Sequence, residues 1–176
     1  RTVHLSRHNR EYAGFIEVRH EAADQLISVH LSDALVPVCA IILDRVKRLF
    51  DLQADPAVID AALGILANER PGLRVPGSFD GFEMAVRAIL GQQISVAGAS
   101  TLAGRFAARF GTSISVSVPS LNYLFPPASR VARATVKEIG RLGITGKRSE
   151  TLIALAQAVN RGELILEPGN RVEGTL

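Results

Sequence analysis

Residues 79–111 read FDGFEMAVRAILGQQISVAGASTLAGRFAARFG, two apolar helical patterns separated by the short polar interruption Gly91-Gln92-Gln93. In the first, Phe82, Val86, Ile89 and Leu90 recur at the spacing of one inward helix face. Asp80 and Glu83 stand before it at capping-box spacing, with Asp in place of Ser or Thr. The second pattern runs from about Ser95, a good N-cap, to Phe110, and Gly111 is expected as its left-handed stop. Ala97, Gly98, Ala99, Ala103, Gly104 and Ala107 are small enough to let another helix approach closely. A pair built this way presents the polar side chains of Gln92 and Gln93 at its tip.

Further helices follow from the same signals. Thr135 and Glu138 form a second capping-box pattern, for a short helix ending at Gly143. Thr145 can cap a helix to about Arg161, with Leu152, Ile153, Leu155, Ala156 and Val159 as its core face and Gly162 closing it. Asn170 precedes Arg171-Val172-Glu173, which reads as the first turn of another helix. Upstream, Ser32 or Asp33 can cap a helix to about Phe50, with Leu35, Val38, Cys39, Ile42, Val46, Leu49 and Phe50 on one stripe and Pro37 in the first turn. Asp55-Pro56 starts the next helix, which ends near Ala67. Before these, residues 12–21 and 25–31 carry β-branched and aromatic residues in partial alternation, joined by a hairpin at Ala22-Ala23-Asp24. A shorter third strand is expected at 2–5, giving a small antiparallel sheet that needs a packing partner.

The expected class is therefore α+β: a small N-terminal antiparallel sheet packed on helices, then an all-α domain. The Pro/Gly-rich stretch at 70–77 marks the border, so the chain divides into 1–70, a connector at 71–78, and 79–176. With 176 residues, 47% of them hydrophobic, the chain can bury a substantial core. The longest apolar run, 34–43, contains Pro37 and falls well short of the roughly 20 residues of a helical membrane span. Cys39 is the only cysteine, which leaves no disulfide framework or cysteine-based metal site and favours an intracellular setting. The start, Arg1-Thr2-Val3-His4, has neither an initiator Met nor a leader pattern and reads as an interior point of a longer polypeptide.

Charge is distributed unevenly behind the net +3. Residues 1–83 carry 9 Lys/Arg and 12 Asp/Glu, whereas 84–161 carry 10 Lys/Arg against Glu138 and Glu150 alone. The excess falls on the helical part and points to a polyanion-facing surface, with solvated helix faces as the plain alternative. His4, His8, His20 and His30 lack a shared helical face or an accompanying carboxylate motif, and read as strand-surface or turn residues, with no metal site expected. The glycine-rich run 140–147 has neither the spacing nor the preceding strand of a phosphate-binding loop. It fits a helix stop followed by a helix start, near which Lys147 and Arg148 are placed to touch phosphate.

The run RPGLRVPGSFDGFEMAVRAILGQQISVAGASTLAGRFAARFG resembles the helical start of the AlkA-type 3-methyladenine DNA glycosylases, members of the helix-hairpin-helix superfamily of base-excision repair enzymes. LSDALVPVCAIILDRVKRLFDLQADPAVIDAALGIL, upstream, is similar to the end of that family's sheet domain and the helices leaving it. LFPPASRVARATVKEIGRLGITGKRSETLIALAQAVNRGELIL is similar to the helices before its hairpin. The resemblance implies a partner, double-stranded DNA with alkylated bases, from which a damaged nucleotide is rotated and its gap filled by an inserted side chain. In the family pattern that wedge falls at Gln93, where an apolar residue is common, with Gln92, Gly91 and Ser95 shaping or flanking the loop.

The chemistry so implied is hydrolysis of the N-glycosidic bond to an alkylated purine, without a cofactor. An Asp stabilises the cationic sugar and aromatic rings hold the charged base. In the family both lie in and after a Pro-Gly-Ile-Gly-like hairpin, and the chain stops short of it. Asp80 and Glu138 are explained as helix caps, so the catalytic Asp is expected beyond residue 176 and the isolated chain is expected to be inactive. The resemblance also implies a bacterial enzyme, monomeric at full length, working in the cytoplasm at the nucleoid. Two alternatives stand beside it: a glycosylase for another lesion such as oxidised purines, and a non-catalytic DNA-binding or regulatory module left from a fusion with an alkyl-transfer regulatory protein.

Overall fold

The computed structural model describes residues 1–167, so the helical turn expected at 171–173 lies outside the described residues. The architecture is α+β, as the sequence patterns require. Arg1–Val38 and the residues from Asp80 onward form one compact unit, and Cys39–Phe79 forms another.

The first unit opens with an antiparallel sheet of β1 (Thr2–Arg7), β2 (Arg10–Glu21) and β3 (Leu26–Leu31), in that spatial order. β1 is longer than expected because His8 and Asn9, at φ 49° and 62°, make a two-residue hairpin that pairs Arg7 with Arg10. Two consecutive positive φ values give the twist that adjoining strands prefer. Val3, Leu5, Gly14 and Ile16 are buried on the sheet, while Glu17 and Arg19 are exposed and bonded to each other. Gly14 is there for closeness: a Cβ at that position would lie 2.0 Å from Ser32 Oγ.

The sequence reading places Ser32 as a possible side-chain cap, but its hydroxyl instead accepts from the Phe15 N–H at 3.1 Å, while its carbonyl accepts from Leu35 N. The expected single helix to Phe50 is two pieces. Asp33–Val38 forms a 3-10 turn containing Pro37, and α1 (Cys39–Leu49) follows in the second unit. Proline removes a donor that an α-helical ladder would use, and the tighter turn accommodates it. Phe50 leaves the stripe and is exposed.

Within the second unit, Asp55 caps α2 (Pro56–Leu63) through the Ala57 N–H, with Pro at the first helical position, and the chain continues as a 3-10 turn to Ala67. The stretch at 70–77 is bound to its own unit. Gly72 N–H donates to Asp60, Val75 N–H to Asp51, and Gly77 N–H to the Leu49 carbonyl, while the Arg74 guanidinium donates to the Asp51 and Ala54 carbonyls.

The helical part of the first unit consists of α3 (Gly81–Gly91), α4 (Val96–Phe110), α5 (Ala128–Val131), α6 (Val136–Gly140) and α7 (Gly146–Asn160). Their shared core holds Val86, Leu90, Ala103, Phe106, Phe110, Val131, Ile139, Leu152 and Ala156. Full burial of one such large side chain contributes about 2 kcal/mol. A two-residue ladder joins β4 (Thr112–Ser113) to β5 (Tyr123–Leu124), and Thr2 Oγ1 donates to the Tyr123 carbonyl at 2.8 Å, tying the sheet to this bundle.

Two glycine expectations change. Gly111 is extended, at φ −76° and ψ 177°, so it is no left-handed stop. Its lack of a side chain serves close approach, since a Cβ there would sit 2.1 Å from the Leu124 carbonyl oxygen and 2.4 Å from that of Ala107. Gly104 faces open space, so it makes no tight helix contact. Gly162, at φ 74°, does close α7 as expected. Gly111→Ala should therefore cost about 2–3 kcal/mol through overpacking against backbone. Gly104→Ala should range from neutral to about 1 kcal/mol stabilising through helix propensity. Urea unfolding midpoints of the two variants check this, and equal midpoints would contradict the assignment.

Candidate nucleic-acid interface

Asp80 and Ser95 set the ends of the helices that frame Gln92 and Gln93. The Asp80 carboxylate accepts from Glu83 N–H at 2.8 Å and starts α3, while Ser95 Oγ accepts from Gly98 N–H at 3.2 Å and starts α4. Only the forward half of the expected Asp80–Glu83 box forms. The Glu83 carboxylate instead pairs with the Arg1 and Arg87 guanidiniums, so it is neutralised and is no free base. Gly91 is the last residue of α3, and a Cβ on it would meet the Ala99 Cβ at 3.8 Å, an ordinary contact.

Between the helices the chain turns sharply. Gln92 lies at φ −59° and ψ 127°, and Gln93 follows at φ 57°. This is the dihedral course of a type II turn, whose second central position ordinarily falls to Gly or Asn. A glutamine held there costs about 1 kcal/mol. Strain of this kind concentrates where a side chain must be aimed. Gln92, Gln93 and Ser95 are all exposed, so the sequence-placed tip residues come together on one accessible turn.

The turn carries two features that sequence reading did not single out. Ile94 and Val96 are 38% and 84% exposed, placing apolar side chains immediately beside Gln93. Arg148, from the first turn of α7, donates through Nη2 to the Gln92 carbonyl at 2.6 Å and braces the loop from a helix more than fifty residues later. Lys147 is exposed beside it. Thr145 stands at the N-cap of α7 but makes no side-chain cap bond, which leaves the first N–H groups of that helix facing the same region.

The Lys/Arg excess of the helical part does not collect on a single patch. Lys147 and Arg148 stand at the turn, whereas Arg109, Arg130 and Arg133 line a separate concavity of about 470 Å³ with Phe110, Ala134 and Glu138. Ser95 and Arg109 bracket α4 from opposite ends, about 20 Å apart at 1.5 Å per residue. Arg87 and Arg105 are engaged within the protein, Arg87 on Glu83 and Arg105 on the Leu142 carbonyl. The expected Thr135–Glu138 capping box is complete. The Thr135 backbone N–H and hydroxyl, then Arg109 and Arg141, hold the Glu138 carboxyl below its ordinary 4.5. Elsewhere, His4 pairs across strands with Glu11 at 2.7 Å and His8 sits in the first hairpin turn. No group of three or more potential metal ligands occurs among the described residues.

Comparison with known proteins gives two family matches. Residues 1–80 match the AlkA N-terminal domain, and residues 86–173 match the HhH-GPD superfamily base excision DNA repair protein. The chain is 42% identical to the DNA-3-methyladenine glycosylase 2 of Escherichia coli over 154 residues, 88% of this chain and 54% of that one. It is 36% identical to the DNA-3-methyladenine glycosylase of Bacillus subtilis over 72% of this chain and 43% of that one. The chain thus spans about half the length of these relatives. Among solved structures, the 3-methyladenine DNA-glycosylase of Archaeoglobus fulgidus superposes with a TM-score of 0.62 at 20% identity, covering 89% of this chain and 55% of that one. The 8-oxoguanine glycosylase/lyase of Clostridium acetobutylicum gives 0.61 at 16% identity, covering 94% and 54%. At such identities the superpositions establish the shared fold.

Two outcomes test this geometry. Gln93→Gly should leave stability within about 1 kcal/mol of the parent, while the β-branched Gln93→Val should destabilise by about 1–2 kcal/mol at a positive φ; matching denaturation midpoints for Val and Gln would refute the left-handed turn. Because the folded-state pKa of Glu138 is depressed, its contribution is fully present above pH 4.5 and is lost as pH falls through the lower folded value. In an acid titration of stability, the gap between the parent and Glu138→Gln should therefore close below pH 4.5, and a gap that persists there would count against it.

Proposed function

Because this chain belongs to the HhH-GPD superfamily of base excision DNA repair proteins, we propose that it forms the DNA-engaging part of a glycosylase that extrudes and excises alkylated purines of the 3-methyladenine type. The observation that carries this reading is the exposed, strained turn at Gln92 and Gln93, braced by Arg148 and flanked by Ile94 and Val96. Taking a base out of a duplex costs a few kcal/mol in lost stacking. A side chain entering the gap offsets part of that cost. Gln93 brings an amide that can hydrogen-bond the orphaned partner base. Ile94 and Val96 bring the apolar surface that an amide lacks.

Phosphates flanking the extruded nucleotide are assigned to Lys147, Arg148 and the first N–H groups of α7, a helix start that favours anions. Gly91 and Ser95 serve as the flanks, Ser95 through its cap on α4. We keep the division 1–70, 71–78 and 79–176: the change from one family match to the other between residues 80 and 86 supports a new domain beginning near 79, although the compact units group 39–79 by contact. The alkylated class is preferred over oxidised purines because the 42% identical relative is named for 3-methyladenine. We place the whole protein inside the cell, at the nucleoid, as a monomer.

Bond hydrolysis needs a carboxylate free to face the sugar. Asp80 and Glu138 cap helices, and Glu83 is paired twice, so none of these three is assigned that task. The 176-residue chain should therefore bind duplex DNA without releasing base. Titration against a duplex carrying an abasic-site analogue and against its intact counterpart should show a preference for the former, reduced about tenfold in a Gln93→Ala, Val96→Ala variant. Equal affinities of parent and variant would remove the turn from the mechanism, and robust release of alkylated base by this chain would show that one of its own carboxylates does the chemistry.

A further inference from the structure

The concavity at the far end of α4 has the chemistry of a second anion site. Arg109, Arg130 and Arg133 line it, and the one carboxylate among its lining residues is Glu138. That carboxylate is already engaged: Oε2 accepts from the Thr135 backbone N–H and hydroxyl, each at 2.9 Å, and Oε1 accepts from Arg109 at a long 3.3 Å. Arg141 adds its positive charge to the Glu138 environment. Among the described residues, Arg130 and Arg133 form none of the ion pairs identified, although both are exposed. Three guanidiniums thus face a single, mostly satisfied carboxylate across a hollow of about 470 Å³.

We infer that Arg109, Arg130 and Arg133 form a second phosphate-binding site, at the end of α4 opposite the Gln92–Gln93 turn, that takes backbone phosphates of DNA. Guanidinium forks bind phosphate oxygens in pairs, more specifically than point charges do. Arg109 is pre-oriented by Glu138 and by stacking 5.7 Å from the Phe110 ring centroid, so less of its freedom is lost on binding. Phe110 and Ala134 complete the lining of the hollow, and between Arg130 and Arg133 the Ala132 carbonyl accepts from Gln157 of α7 at 3.4 Å, tying that segment to the bundle. Turn and hollow are about 20 Å apart along α4. They therefore touch different phosphates, and the second site holds DNA whether or not a base is displaced at the first.

The nucleic-acid part of this inference rests on the proposed function, and the phosphate part does not, so the test has two arms. In the first, binding of an undamaged labelled duplex is followed against KCl concentration for the parent, for Arg130→Gln with Arg133→Gln, and for Gln93→Ala. Each phosphate contact contributes about 0.9 to the slope of log K on log salt. The arginine variant should lose roughly 1.8 from that slope, and Gln93→Ala should lose none. In the second arm, thermal stability is measured in inorganic pyrophosphate against chloride at equal ionic strength, where the parent should gain and the arginine variant should not. Equal slopes together with a pyrophosphate gain specific to the parent would assign the hollow to free phosphate and overturn the DNA assignment. Equal slopes with no such gain would overturn the site itself. If no protein binds duplex at all, the proposed function fails, and the pyrophosphate arm still decides whether the hollow is a phosphate site.

Discussion

The apolar core shared by α3, α4 and α7 is the constraint on which the polar features depend. Leu90 and Phe106 are fully buried from the two helices that meet at the turn, and Leu152 is fully buried from α7. Burying them fixes where α3 ends and α4 begins, and the four residues between, Gln92 to Ser95, must span that gap. The same packing brings the start of α7 to the turn, so that Arg148 reaches the Gln92 carbonyl. The positive φ of Gln93 is thus a consequence of core packing elsewhere. Local sequence preference would not have placed a glutamine in that conformation.

Much of this was legible in the sequence because the signals were local. Helix starts at Asp55, Asp80, Ser95 and Thr135 fall where expected, each with a short side chain accepting a nearby N–H, although the Asp80–Glu83 box forms only in its forward half. Alternation located the sheet, although the His8-Asn9 turn, with no glycine to announce it, extended its first strand. What sequence could not supply were contacts made across long separations. Ser32 went to Phe15 in place of its own helix, and Glu83 went to Arg1 and Arg87 in place of closing its box. Gly111 was retained for a neighbouring carbonyl that belongs to residue 124.

The tip residues could be named from the resemblance together with the helix pattern, because the break between two apolar stripes falls on them. Their reinforcement could not. Its place at a helix start marked Arg148 for phosphate, but its separation of 56 residues from Gln92 hid the bond that braces the turn. Arg130 and Arg133 carry a spacing signal of three residues, but Arg130 sits on a four-residue helix after two prolines and Arg133 lies just past its end, where periodicity says little. Even a clear charge excess over residues 84–161 could not reveal that Lys147 and Arg148 stand at one end of α4 and Arg109, Arg130 and Arg133 at the other.

Arg148 also ties the rigidity of the tip to the electrostatics around it. One of its terminal nitrogens is committed to a backbone carbonyl, while the guanidinium keeps further donors on the same plane. Docking onto a polyanion therefore need not release the loop that probes it, because one planar group can do both at once. A lysine in its place would bring three donors on one nitrogen but no planar fork to hold both partners in a fixed geometry, so charge alone does not describe what this position requires.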